Sequence, residues 1–150
     1  MSLTDAELAE RINRRVPPTS ALLGMSVVAV DQAAGTVRLR FEPKAEFANP
    51  MGNVQGGFVV AMLDDAAALA AVVKAGQRIV VPTIELKTSF FGVARIGAPL
   101  FAEGRCVKLG QRIAFMEADL RDDAGTLLAR LSTTALPTPL DGPGNFVERP

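Results

Sequence analysis

Two adjacent aspartates, Asp64 and Asp65, interrupt the run from Val59 to Val73, which is otherwise apolar on nearly every side. A helix that is apolar all round is normally buried. Burying an unpaired carboxylate is costly, so an acid kept there is paired, hydrogen-bonded or set in a cleft. Neighbouring helix positions point about 100° apart, so the two acids cannot share one environment. The chain contains no histidine. That removes the commonest general base and the commonest metal ligand from any mechanism. Gly56-Gly57 opens the same helix. A helix N-terminus offers free backbone N–H groups and a partial positive charge, and glycine lets a ligand come close to them. Such amides can polarise a carbonyl and hold a developing oxyanion. A tight turn from loop into helix accounts for two glycines equally well.

Composition narrows the possibilities. At 150 residues, 49% apolar and 21% charged, the chain reads as one soluble domain with a real core. Net charge is zero and there is no basic run, so nucleic-acid binding has no electrostatic support. The single Cys106 allows neither an internal disulfide nor a zinc site of its own, and reads as a small core residue. The N-terminal MSLTDAELAERINRR is charged and amphipathic, unlike a signal peptide. The central apolar run is too short, and too acidic at its middle, for a membrane span. No membrane partner is expected, no metal or redox cofactor is implied, and the expected location is the cytoplasm.

The elements that must position these residues follow from periodicity. Thr4 to Arg15 predicts a short helix, with Thr4 as N-cap and Glu7 as capping-box partner, ended by Pro17-Pro18. Thr19 to Leu23 is a connector with room for one more helical turn. Met25 to Val30 and Thr36 to Phe41 form a hairpin, and Pro43 to Asn53 a loop. The long helix runs from Gly56-Gly57 to a C-cap at Gly76. Four strand signals follow, at Ile79 to Phe91, Pro99 to Leu109, Arg112 to Arg121 and Thr126 to Leu136, joined by short turns that imply antiparallel pairing. A single apolar helix needs a sheet that covers most of its circumference, so the fold class is α+β, with about six curved antiparallel strands around one helix. The domain spans 1–137, with a helical lead at 1–23. Residues 138–150, rich in proline and glycine, predict an extended or disordered tail.

Asn49, Gln55-Gly56-Gly57 and Asp64 together resemble the helix signature of hotdog-fold acyl-CoA thioesterases, in particular the phenylacetate-type, PaaI-like branch. That signature reads Asn, then His-Gly-Gly, then an acid nine positions after the His. Here Gln55 stands at the His position. The likeness covers roughly residues 20 to 137. It implies a hotdog domain that assembles by joining sheets edge to edge, as a homodimer or a dimer of dimers. It also implies hydrolysis of an acyl- or aryl-CoA thioester to the carboxylic acid and CoA. Asp64 would be nucleophile or general base, facing the oxyanion site of Gly56 and Gly57 across the dimer interface. The alternative for Asp64 is a buried acid paired for stability. Asn49 would orient the attacking water, or simply form an Asn-Pro turn. Thr83 would hydrogen-bond the water or the acid, or be an ordinary strand residue. Gln55 can donate from its amide but cannot carry a proton in and out. Arg95, Lys108 and Arg112 are positioned for CoA phosphates, or are solvated charges. Asp65 aligns with no chemical role and reads as solvated or paired at an interface. Met51, Phe58, Met62 and Phe90 can line an acyl pocket or fill the core. A non-catalytic acyl-CoA binding or sensing protein on the same fold is the alternative function.

Overall fold

A computed structural model describes residues 2–150. The chain begins with α1 (Asp5–Arg14), a two-residue strand β1 (Arg15–Val16) and α2 (Pro18–Leu22). The hairpin β2 (Ser26–Asp31) and β3 (Thr36–Phe41) leads through a single 3-10 turn, Ala45–Phe47, to α3 (Gly56–Ala75). Then come β4 (Ile79–Val80), β5 (Thr83–Phe90), β6 (Leu100–Leu109), β7 (Ala114–Arg121), β8 (Leu127–Ala135), β9 (Thr138–Pro139) and β10 (Val147–Glu148). Six strands form one antiparallel sheet in the order β2-β3-β6-β7-β8-β5. This sheet wraps α3 in the hotdog arrangement.

The expected α3 is present from end to end. Gly76 caps it with φ 62°, the left-handed conformation that glycine adopts without strain. Eight of its residues are buried, among them Ala66, Ala67, Ala70 and Ala71 at 0% exposure. These small side chains let the helix press onto the sheet. Contact is tightest at Gly104 of β6, where an added Cβ would lie 2.1 Å from the Ala66 carbonyl oxygen. By length and composition α3 alone among the described residues is long and apolar enough to cross a membrane, but it is the core helix inside the sheet.

Local chemistry adjusts several expected boundaries. Thr4 caps α1 with a complete capping box to Glu7. The connector after Pro17 folds into α2, with proline in its first turn. The single strand expected over Ile79 to Phe91 is two, because Pro82 brings no N–H to a ladder: β4 turns away to pair with β9, and β5 pairs with β8. The tail at 138–150 is extended and touches down at two points. β9 pairs with β4, and β10 pairs with β1.

The two edges of the sheet differ. Along β2 lies α1, and Asn13 bonds the strand backbone in both directions: its Nδ2 donates to Val27 O at 2.9 Å and its Oδ1 accepts from Val27 N at 2.7 Å. At the other end of α1, Asp5 Oδ1 accepts from Gln32 N at 3.2 Å. β5 forms the opposite edge, with no strand beyond it among the described residues. The outer face of the sheet carries cross-strand ion pairs. Arg105 Nε donates to Glu117 at 2.8 Å, and Arg130 grips Asp119 at 2.6 and 2.8 Å. The Arg130 hydrogen bonds hold the Asp119 carboxyl below its ordinary range.

Candidate functional site

The start of α3 is held from below. The Gln55 N–H donates to Phe47 O at 2.8 Å, and the Gln55 carbonyl takes the first helical bonds, from Phe58 at 2.9 Å and Val59 at 3.2 Å. Phe47 and Phe58 stack at 4.1 Å, locking the loop against the first turn. The N–H groups of Gly56 and Gly57 have no acceptor among the described residues. Neither glycine has positive φ, so backbone strain does not require glycine at either position. A Cβ at Gly57 would meet nothing within 4 Å, while one at Gly56 would touch the Phe90 ring at 3.4 Å. What two glycines give here is access. The amides open to solvent beside an aromatic wall.

Asp64 lies about two turns along, on the same side of the helix as Gly57. It is half-buried, and Thr83 Oγ1 of β5 donates to its Oδ1 at 3.2 Å. Burial pushes the Asp64 carboxyl above its ordinary value, and the Thr83 hydroxyl pulls partly back. The result is an oriented acid whose Oδ2 makes no hydrogen bond among the described residues. Asp64 is eight positions after Gly56, about 12 Å along the axis. A single subunit therefore cannot bring both to one carbonyl group.

Gln55 sits at the N-cap with its side chain exposed and making no capping hydrogen bond. Its amide is free to donate at the same mouth. Asn49 does form the turn: its Oδ1 accepts from Met51 N at 2.9 Å and from Asn53 N at 3.1 Å. Only its Nδ2 remains to be offered to a water or substrate. Arg95 is bridged to Asn53, beside this loop. Lys108 lies near the far end of β6, whose ten residues span about 30 Å, and Arg112 in the turn beyond it. The three cations therefore form no single cluster within a subunit. Lys108 instead borders a groove of about 580 Å³ on the outer face of the sheet, with Val107, Phe115 and Thr134.

Asp65 differs from its reading as a solvated or interface-paired charge. It is half-buried beside the Ser20 hydroxyl of α2, and its Oδ2, itself out of contact with solvent, has no hydrogen-bond partner among the described residues. Burial raises its carboxyl to about 6, the Ser20 hydroxyl counters this, and the charge of Asp64 adds to it. Ser20, itself 3% exposed, was not visible as a site residue because α2 reads only as a connector.

The family profile of the thioesterase superfamily matches residues 51–129. No curated protein matches the chain. Among solved structures, the phenylacetic acid degradation-related protein of Ralstonia eutropha JMP134 is 31% identical, with a TM-score of 0.75 over 81% of this chain and 90% of its own. The Escherichia coli PaaI protein, from the phenylacetic acid degradation operon, is 15% identical with a TM-score of 0.71, over 79% of this chain and 82% of that one. The smu.793 protein of Streptococcus mutans UA159, solved bound to acetyl CoA, is 18% identical with a TM-score of 0.69, over 77% and 89%. At these two lower identities the likeness is one of fold.

Proposed function

Because the chain belongs to the thioesterase superfamily, in its PaaI-like branch, and is a thioester hydrolase, we propose that it cleaves acyl-CoA at a site shared by two subunits. Asp64 of one subunit faces the Gly56 and Gly57 amides of the partner. The observation that carries this reading is the pair of open, acceptor-free amides at the head of α3. The separation of about 12 Å from Asp64 then requires a second copy, and the uncovered edge at β5 is where that copy joins.

In the reaction the thioester oxygen lies on the two amides, with the Gln55 side chain as a further donor. Asp64, as general base, takes a proton from water while the oxygen attacks the carbonyl carbon. The amides stabilise the oxyanion. Collapse breaks the C–S bond, and the proton on Asp64 passes to the departing CoA sulfur. If Asp64 attacks directly, an acyl-aspartyl anhydride forms with loss of the thiol, and water then hydrolyses it. In both routes Thr83 holds Oδ1 and leaves Oδ2 to react. Bound acetyl CoA in the Streptococcus mutans protein supports a CoA thioester as ligand. Arg95, at the mouth, is the cation best placed for a phosphate beside the amides of its own subunit, while Lys108 and Arg112 serve a different stretch of the ligand.

The test is thiol release from a panel of acyl- and aryl-CoA thioesters by the wild-type protein and by Asp64→Asn. The variant folds, binds CoA and loses turnover by about a hundred- to ten-thousandfold, the range for a lost general base. Full activity of Asp64→Asn overturns the assignment. Stabilisation of the wild type by CoA without turnover of any thioester would mark a binding protein instead, with Gln55 as the departure responsible.

A further inference from the structure

The last residues of the chain tie together segments that lie far apart in the sequence. β9 pairs with β4, just after α3, and Leu140 N donates to Arg78 O at 3.1 Å. Arg78 Nη2 in turn donates to Gly142 O at 2.7 Å. The tail then reaches the start of the chain, where β10 pairs with β1, Glu148 opposite Arg15 and Val147 opposite Val16. Arg149 N donates to Arg14 O at 2.9 Å, and the Arg149 guanidinium donates to Met25 O. The Arg15 guanidinium lies 5.2 Å from the centre of the Phe146 ring.

None of residues 138–150 is buried. The tail is therefore held by hydrogen bonds and a cation–π contact, without a fully buried side chain to anchor it. Exposed hydrogen bonds bring little net stability, and ordering each residue costs entropy of similar size. Such a segment opens locally far more often than the domain unfolds.

What the tail holds has the opposite character. Val16 of β1 is fully buried, and Ser20, Leu23 and Met25 are buried as well. Pro17 joins β1 directly to α2. Ser20 of α2 stands beside Asp65 of α3, whose Oδ2 is shut off from solvent with no partner among the described residues. A carboxylate oxygen so placed favours any rearrangement that lets water reach it. The stretch from Arg15 to Met25 is thus a cover under two opposed influences. The tail holds it down, and the unpartnered oxygen of Asp65 favours lifting it.

We propose that residues 138–150 are a releasable strap: while β10 is paired with β1 the cover stays seated against Asp65, and when the tail peels away the cover loosens and water enters. Water then reaches α3 one position from Asp64, so attachment of the strap sets the hydration of the acid pair. This goes beyond the hydrolase reading and is measured without substrate.

Hydrogen exchange at neutral pH, followed by mass spectrometry, tests the strap. Deletion of residues 141–150 removes β10 and keeps β9. The amides of Ala21, Leu23 and Met25, hydrogen-bonded within the seated cover, then exchange about tenfold faster or more, while those of β6 and β7 keep their wild-type rates. Gly144→Ala acts in the same direction through a single methyl group, because Gly144 has φ 69° and its Cβ would run into the Phe146 ring. It reads the same quantity in a full-length chain, so failure of the deleted form to fold leaves the test standing. Asp65→Asn added to either strap variant slows exchange of the cover back toward the wild-type rate, since a neutral amide gains less from water than a carboxylate. The proposal is overturned if the cover exchanges at the wild-type rate in Gly144→Ala and in the deleted form. It is overturned equally if the acceleration spreads evenly to β6 and β7, or if Asp65→Asn leaves the accelerated exchange unchanged.

Discussion

Replacing Asp65 with asparagine should stabilise the protein at alkaline pH and do nothing to its stability in acid. Asp65 is half-buried beside Ser20 of α2 with one buried oxygen unpartnered, and desolvation raises its carboxyl from 3.8 to about 6. The folded chain thus holds this proton more tightly than the unfolded chain. The favourable contribution is complete below about pH 3.8 and is lost as pH climbs through about 6. The gap between those two values corresponds to about 3 kcal/mol at pH 8, at about 1.4 kcal/mol per pH unit. Asparagine has the same shape, keeps one carbonyl oxygen for Ser20 and never ionises. Asp65→Asn should therefore gain about 3 kcal/mol at pH 8, about 6–12 °C in melting temperature for a chain of this length, and match the wild type at pH 4. Thermal melts at fixed protein concentration across pH 4 to 8 measure the difference, and turnover should persist because Asp64 carries the chemistry. A variant less stable than the wild type at pH 8, or a difference that does not change with pH, would show that Asp65 is a compensated charge and refute the reasoning.

Gly57→Ala should fold normally and melt no lower, since its Cβ meets nothing and alanine favours the helix. Its methyl group crowds the amides, so acyl-CoA turnover should fall toward the about hundredfold loss of a missing oxyanion donor. Thr83→Val removes the hydroxyl that holds the Asp64 carboxyl down. The acid limb of the pH–rate profile should then move to higher pH, and an unmoved limb would exclude Asp64 as the base. Gly104→Ala has no room beside the Ala66 carbonyl and should cost about 3 kcal/mol or more in urea denaturation; wild-type stability would mean that α3 does not press on β6.

The architecture was legible because α3 is apolar on every side and only a wrapping sheet can bury such a helix. Short turns between the last four strand signals were enough to imply their antiparallel pairing. Pro82 was visible but its effect was not: whether a proline kinks a strand or divides it depends on what the two pieces find to pair with, and β4 finds β9 far along the chain. The surroundings of Asp65 were hidden for a similar reason. They are set by Ser20, on a five-residue helix whose sequence shows no periodicity. At the site, the resemblance singled out Gly56, Gly57 and Asp64, while the hydrogen bond from Thr83 to Asp64 depends on where the start of β5 falls in space. Asn49 was open between two roles, and only the loop's hydrogen bonds show its Oδ1 committed to the turn.

Asn13 gives the sheet a valence. A sheet with two bare edges can add copies at both ends without limit, which is the route to fibres. Here the side chain of Asn13 mimics a strand, meeting the Val27 N–H and carbonyl as a neighbouring peptide would, and α1 is pinned again at Gln32. One end of the sheet is thereby terminated and the other left reactive. Under the proposed two-subunit site, joining through β5 would consume the open edge of the six-stranded sheet in each molecule, and the ladder would stop at two.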